Sequence, residues 1–256
     1  MHVKELFDLT GTVALVTGGS RGLGLSMAHA LGEAGAGVAI TARRDEWLRT
    51  AEDELRNARI DCTATTCDVA DPASVDSAVA HVVRRFKRID VLVNNAGTSW
   101  GAPAAEMPLD KWRQVLDTNA TGCFLMSQAV GRDMMRAGGS IINITSVMGL
   151  SGIAPDVLDA VGYTASKGAI VSLTKDLAVK WATYGIRVNA VAPGFFETRL
   201  TTAVLDRARS RIEQLIPMAR IGAPGELKGI AVFLASAASS YVTGQVIAVD
   251  GGKTAW

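Results

Sequence analysis

The chain has 256 residues, with 26 basic against 25 acidic side chains and a formal net charge of +1. Apolar residues make up 48% of it, which excludes a disordered chain, and the balanced charge argues against nucleic acid or a membrane surface as partner. The length suits one α/β domain spanning 1–256 that buries roughly three quarters of its unfolded surface without disulfides or metal.

Short β-branched runs alternate with longer segments of helical spacing. Val13 to Thr17 comes first, then Gly37 to Thr41, Cys62 to Cys67, Ile89 to Val93, Ser140 to Thr145, Ile186 to Val191 and Val246 to Val249. Their nearly continuous apolar character predicts strands covered on both faces. Between them, Met27, Ala30, Leu31 and Ala34 form one apolar helical stripe, and Val75, Val79, Val82, Val83 and Phe86 form another. Strand–helix–strand alternation implies parallel pairing through right-handed crossovers. The prediction is a single doubly wound Rossmann sheet of seven parallel strands with helices on both faces. An irregular stretch at about 194–225, punctuated by Pro217 and Pro224, reads as a substrate lid.

Cys62, Cys67 and Cys123 form no CxxC pair, and a sparse odd count suits free buried thiols in a reducing compartment. His29 and His81 stand alone on predicted helices, so no metal site is expected. No apolar run is long enough to span a membrane, and Met1-His2-Val3-Lys4-Glu5 lacks a signal-peptide pattern. The expected location is cytoplasmic.

The first strand ends in Thr17-Gly18-Gly19-Ser20-Arg21-Gly22-Leu23-Gly24 and leads into a helix. Glycine permits positive φ and close backbone approach, and the helix N-terminus offers free N–H groups to a pyrophosphate. The spacing is Gly-x-x-x-Gly-x-Gly rather than the common dinucleotide fingerprint, but its place after the first strand points to a nucleotide. Where an acid would bind a ribose 2′-hydroxyl, the second strand ends in Ala42-Arg43-Arg44. Arg21 adds a cation within the turn, and paired guanidinium forks suit a 2′-phosphate. These residues favour NADP(H) over NAD(H). Asp45 is the rival 2′-hydroxyl ligand, but its place before Trp47-Leu48 reads as a helix N-cap.

Tyr163 and Lys167 stand at i and i+4, one turn apart on one helical face. Ser146 follows the fifth strand, and Asn119 lies in the polar break Asp117-Thr118-Asn119. With the glycine turn, Asp68-Val69, Asn94-Asn95-Ala96-Gly97 and Pro193-Gly194, these motifs run in an order that resembles the short-chain dehydrogenase/reductase family over nearly the whole chain. The resemblance implies a catalytic tetrad of Asn119, Ser146, Tyr163 and Lys167. It implies a cofactor site of Gly18, Ser20, Arg21, Gly22, Leu23, Gly24 and Arg43, with Asp68 and Val69 against adenine. Asn95, Ala96, Gly97, Tyr163, Lys167, Pro193, Gly194, Phe196 and Thr198 complete that site. It also implies a homotetramer, partly through the Tyr163 helix.

The chemistry asks for these residue types. A carbonyl oxygen gains charge as hydride arrives at its carbon and must be protonated. A phenol can supply the proton, and a neighbouring ammonium is expected to draw its pKa down from about 10, by roughly 3–4 kcal/mol of differential stabilisation. Ser146 would donate to the same oxygen. Asn119 would hold a water linking Lys167 to solvent.

Ser146 and Tyr163 are 17 apart, wider than is usual in the family, so Ile153, Pro155 and Val157 of the insertion are expected to shape the pocket. Pro193-Gly194-Phe195-Phe196, Leu200-Thr201 and Val249-Asp250-Gly251-Gly252 look most like the gluconate 5-dehydrogenase and 3-oxoacyl reductase branch. The implied substrate is a keto-sugar acid or other small ketone, with its alcohol. The alternatives are a 3-oxoacyl thioester, whose acidic carrier would suit Arg207, Arg209 and Arg211, and a non-catalytic NADP(H)-binding regulator.

Overall fold

The computed structural model describes residues 2–199, 201–223 and 225–256. Met1, Leu200 and Pro224, on which parts of three expectations fall, lie outside them. The strands are β1 (Val13–Thr17), β2 (Gly37–Ala42), β3 (Cys62–Thr66), β4 (Val91–Asn94), β5 (Gly139–Ile144), β6 (Ile186–Pro193) and β7 (Val246–Val249). They form one parallel sheet in the order β3-β2-β1-β4-β5-β6-β7. The order reverses between β1 and β4, and in such sheets the crevice at that reversal, beyond the carboxyl ends, is where ligands bind.

The apolar runs are continuous because each strand feeds two cores. On β1, Ala14 and Val16 face one helical layer while Val13 and Leu15 face the other. The first layer contains α1 (Gly22–Glu33), α2 (Asp45–Asn57) and α8 (Lys228–Ala235), contributing Met27, Leu31, Leu48, Leu55 and Leu234. The second contains α3 (Pro72–Phe86), α5 (Gly122–Met134) and α6 (Val161–Trp181), contributing Val75, Val82, Met126, Met134 and Leu177. Helix α3 begins where its sequence dictates. The Asp71 carboxylate accepts from Ala73 N at 3.2 Å and Ser74 N at 3.3 Å, and Pro72 occupies the first turn.

Two local expectations are corrected and a third is given its form. Asp45 does not cap α2 with its side chain. It is the first helical residue, behind Arg44, and its carboxylate takes the Arg49 guanidinium one turn on. The stretch at 194–225 is not irregular throughout: it holds α7 (Thr202–Gln214), which buries Leu205, Ala208 and Ile212. The polar break at Asp117 is a turn of π-helix, Asp117–Thr121, set between α4 (Leu109–Leu116) and α5. Such bulges recur at functional sites because the widened turn re-aims side chains.

A third apolar cluster caps the carboxyl edge of the sheet. Val147, Met148 and Val157 pack there against Phe195, Leu205 and Ile212. The insertion before α6 is anchored on both sides. Ala102 N donates to Asp159 O at 2.9 Å, and Arg207 on α7 reaches Val157 O at 3.2 Å. Among the described residues no helix is long and apolar enough to cross a membrane.

Candidate active site

At the sheet reversal, the ends of β1 and β4 are stapled together. Thr17 Oγ1 accepts from the backbone N–H groups of Asn95 and Ala96, each at 3.0 Å. In return, Asn95 Nδ2 donates to Thr17 O at 3.0 Å and Gly18 O at 3.1 Å. Asn95 therefore fixes the mouth of the glycine turn as well as facing the cleft. Gly18 and Gly22 have φ of +63° and +56°, which side-chain-bearing residues rarely adopt. A Cβ at Gly24 would lie 2.4 Å from both Asn95 Nδ2 and Gly18 O. The turn thus leaves its backbone bare, and α1 begins behind an extended Arg21 with no side chain capping its first N–H groups.

Gly24→Ala is expected to force the turn open. Overpacking of this kind costs about 1–3 kcal/mol, and dinucleotide affinity should fall at least tenfold, roughly another 1.4 kcal/mol. Titration calorimetry beside a thermal melt checks this; wild-type affinity in the variant would contradict the cradle.

Three guanidiniums converge beside this turn. Arg21, Arg44 and Arg199 lie 3.7, 4.2 and 5.3 Å from the centroid of the Trp47 ring. Arg43, singled out from the sequence, is exposed at the end of β2. Arg44 belongs to the Ala42-Arg43-Arg44 segment read from the sequence, but Arg199 does not: it lies 155 positions beyond Arg44, and no spacing connects them. Asp68 is exposed and its Oδ1 accepts from Ala70 N at 3.0 Å, while the Val69 side chain is buried against Gly122. A bare glycine cradle, an uncapped helix start and clustered guanidiniums fit a dinucleotide carrying a 2′-phosphate.

The cleft beside the cradle is lined by Leu23, Asn95, Gly97, Ser146, Tyr163, Lys167, Pro193, Gly194, Phe196 and Thr198, with Ile144, Thr145 and Thr201. The last three are not among the catalytic or cofactor residues that the resemblance implies. Ser146 follows β5 and does two things. Its Oγ accepts from Met148 N at 3.2 Å, capping a short 3-10 turn, and its hydroxyl shares the cleft with the Tyr163 side chain, whose phenolate it favours. Tyr163 and Lys167 lie on one face of α6, with Lys167 Nζ 5.6 Å from the Tyr163 ring centroid. Lys167 is 4% exposed, donates to Ile144 O at 2.8 Å, and makes no ion pair among those described.

Burial governs both titrations. It pushes the Lys167 ammonium down to about 8, with a smaller opposing influence from Cys123. It holds the Tyr163 phenol above its usual range, against a smaller opposing influence of the Ser146 hydroxyl. The expected lowering of the phenol by Lys167 is therefore not what the structure shows. Lys167 is charged at neutral pH, but its Nζ lies 5.6 Å from the ring centroid, and burial of the phenol outweighs its pull.

Asn119, on the π-turn, uses its amide on protein partners. Oδ1 accepts from Thr98 N at 2.8 Å, and Nδ2 donates to Thr98 O and Ser166 Oγ, both at 2.9 Å. Ser166 Oγ in turn donates to Tyr163 O at 2.7 Å. The side chain ties the loop after β4 to α6. Among the described residues no His, Cys, Asp and Glu cluster could hold a metal. Cys123 is buried, its thiol pushed up to about 12, and Cys67 is likewise raised to about 11.

A family model described as enoyl-(acyl carrier protein) reductase matches residues 18–254. A gluconate 5-dehydrogenase of Gluconobacter oxydans (strain 621H) is 40% identical over 260 residues, covering 99% of each chain. The crystal structure of a short-chain type dehydrogenase/reductase from Mycobacterium marinum superposes with TM-score 0.95 at 40% identity over 99% of each chain. That of a gluconate 5-dehydrogenase from Burkholderia cenocepacia J2315, in complex with NADP and tartrate, gives 0.94 at 41% identity over the full length of both.

Proposed function

Because the chain belongs to the short-chain dehydrogenase/reductase family, we propose that its cleft interconverts a small ketone and its secondary alcohol with NADP(H), a keto-sugar acid being the favoured substrate. The observation that carries this is the convergence of Ser146, Tyr163 and buried Lys167 in the cleft that the glycine cradle opens into. When bound, NADP(H) supplies or accepts the hydride. The guanidiniums of Arg21, Arg43 and Arg44 would hold its 2′-phosphate, the Gly18–Gly24 backbone its pyrophosphate, and Asp68 and Val69 its adenine end.

The side chains of the cleft then handle one proton and one developing charge. Tyr163, kept neutral by its surroundings, has a proton ready for the carbonyl oxygen at neutral pH. Ser146 Oγ can donate to the same oxygen while its own lone pair keeps the Met148 N–H. Lys167 is held by Ile144 O within reach of the nicotinamide-side cleft, where it would take ribose hydroxyls. Asn119 acts as a positioning residue, holding the Thr98 loop against the helix that bears Tyr163.

Val157 and Met148 are buried in the apolar cluster beneath α7 and do not line the cleft themselves; α7 is the proposed lid, in the 194–225 stretch of the single 1–256 domain. A 3-oxoacyl thioester on an acidic carrier is the weaker reading. Of the three lid arginines, Arg207 is spent on Val157 O and Arg209 on Glu197. A homotetramer belongs to the same proposal. Helix α6 leaves Ala165, Ala169 and Ser172 exposed along one side, and Val179 and the α5 residue Phe124 are 79% and 39% exposed. A cytoplasmic location, which three free buried cysteines suit, completes it.

The test is NADPH consumption against a panel of keto-sugar acids, simple ketones and a 3-oxoacyl thioester, with NADH as control. Turnover of a keto-sugar acid, at least tenfold better with NADPH, is expected, a preference of about 1.4 kcal/mol. Preference for NADH would overturn the cofactor assignment, and no turnover of any carbonyl would revive the non-catalytic regulator.

A further inference from the structure

The indole of Trp47 carries more positive charge than the chain itself neutralises. Arg21 comes from the glycine turn, Arg44 from the start of α2, and Arg199 from the segment between β6 and α7. Among the described residues the nearest carboxylate to any of them is Glu46, 3.8 Å from Arg44, and neither Arg21 nor Arg199 has an ion-pair partner. Each guanidinium stacks on a polarisable face, which offsets some of the repulsion between like charges. The repulsion is still felt: besides burial, Arg199 and Arg44 both push the Arg21 guanidinium downward. Three like charges gathered on one ring call for a multiply charged anion.

Arg199 is not isolated from the cleft. It follows Thr198, and the turn that holds them is closed on itself. Thr201 Oγ1 donates to Phe196 O at 2.5 Å and accepts from Thr198 N at 2.9 Å. Phe196, Thr198 and Thr201 all line the cleft, and α7 starts at the next residue. Whatever fixes Arg199 therefore fixes one wall of the cleft and the root of the lid helix.

We propose that Trp47 is the platform of a three-arginine clamp, and that Arg199 makes the cofactor's 2′-phosphate draw the lid segment onto the glycine turn. The inference rests on the NADP(H) reading above and adds two things to it. Trp47 is a positioning residue that sets the arginine forks, and the 2′-phosphate is read a second time, as order in the lid. NAD(H), lacking that phosphate, would bind the same cradle and leave α7 loose.

The experiment uses the full chain and needs no knowledge of the carbonyl substrate. Affinities for NADP+ and NAD+ are measured by calorimetry for the wild type, Arg199→Gln, Trp47→Leu and Trp47→Phe. Amide exchange across 201–214 is followed at saturating levels of each cofactor. Removing one charged donor from the phosphate should weaken NADP+ roughly tenfold in Arg199→Gln and leave NAD+ within about twofold. Trp47→Leu should do the same, and Trp47→Phe, which keeps an aromatic face, should retain most of the affinity. In the wild type NADP+ should protect the lid helix more than NAD+, and Arg199→Gln should erase that difference. Equal loss of both cofactors in the variants would reduce Trp47 and Arg199 to structural residues and overturn the clamp. Equal lid protection by both cofactors in the wild type would overturn the coupling while leaving the NADP(H) assignment standing. A wild type without preference for NADP+ would instead remove the reading on which the clamp depends.

Discussion

Tyr163→Phe should lower kcat for carbonyl reduction by roughly 10²–10⁴-fold, the span expected when a positioned general acid is removed. NADPH affinity should change less than about threefold, under roughly 0.7 kcal/mol. The substitution touches little else. The ring packs against the cluster around Val147 and Met148, and phenylalanine preserves that volume. Ser146 keeps the Met148 N–H, so it is not left as an orphaned buried group. Unfolding therefore cannot stand in for the lost rate, and the variant's melting temperature should stay close to the wild type's. Because the phenol is held protonated, the wild-type reductive rate should not fall between neutral pH and 9 through loss of the Tyr163 proton. A variant that turned over within tenfold of the wild type would remove Tyr163 from the chemistry. Cofactor binding is read separately, by quenching of NADPH fluorescence.

The scaffold was legible because its signals are local. A strand buried on both faces reads as a continuous apolar run, and β1 and β7 fall where their runs predict. The glycine turn was legible for a related reason: positive φ at Gly18 and Gly22 is demanded within a few residues of a strand end. Helix α7 was overlooked although its signal was present. Leu205, Ala208 and Ile212 recur at helical spacing, but proline punctuation around them suggested an irregular segment. The arginine cluster is a different kind of miss. Arg21, Arg44 and Arg199 meet only because β1, β2 and β6 end at the same edge, and Trp47 read as an ordinary helix residue. The titration of the tetrad is the third kind. Sequence spacing brings Tyr163 and Lys167 together but is silent on burial, and burial decides the direction in which each one shifts.

That burial makes a separable prediction at Lys167. Lys167→Met should abolish turnover yet raise the melting temperature of the cofactor-free protein at pH 7. The folded protein holds this ammonium at about 8, against 10.5 for a free lysine. Keeping it charged at neutral pH therefore costs on the order of 3 kcal/mol. Methionine removes that penalty and fills a similar volume, but Ile144 O loses its donor, which costs about 1 kcal/mol. A net gain of about 2 kcal/mol in a chain of this size corresponds to a rise of roughly 4–8 °C. The pH dependence follows from the direction of the shift. Below about 8 both folded and unfolded states carry the proton, and the penalty is fully present. Between about 8 and 10.5 the unfolded chain keeps a proton that the folded protein has released, so wild-type stability rises with pH. Tyr163 contributes only above pH 10 and with the opposite sign, because its folded-state pKa is raised. The advantage of the methionine variant should accordingly be largest at pH 7 and shrink steadily towards pH 10. Denaturant melts at three pH values measure it. A variant less stable than the wild type at pH 7, or an advantage that grew with pH, would mean that Lys167 is held by contacts stronger than its desolvation. A residue kept against the stability of its own fold is one retained for what it does in the cleft.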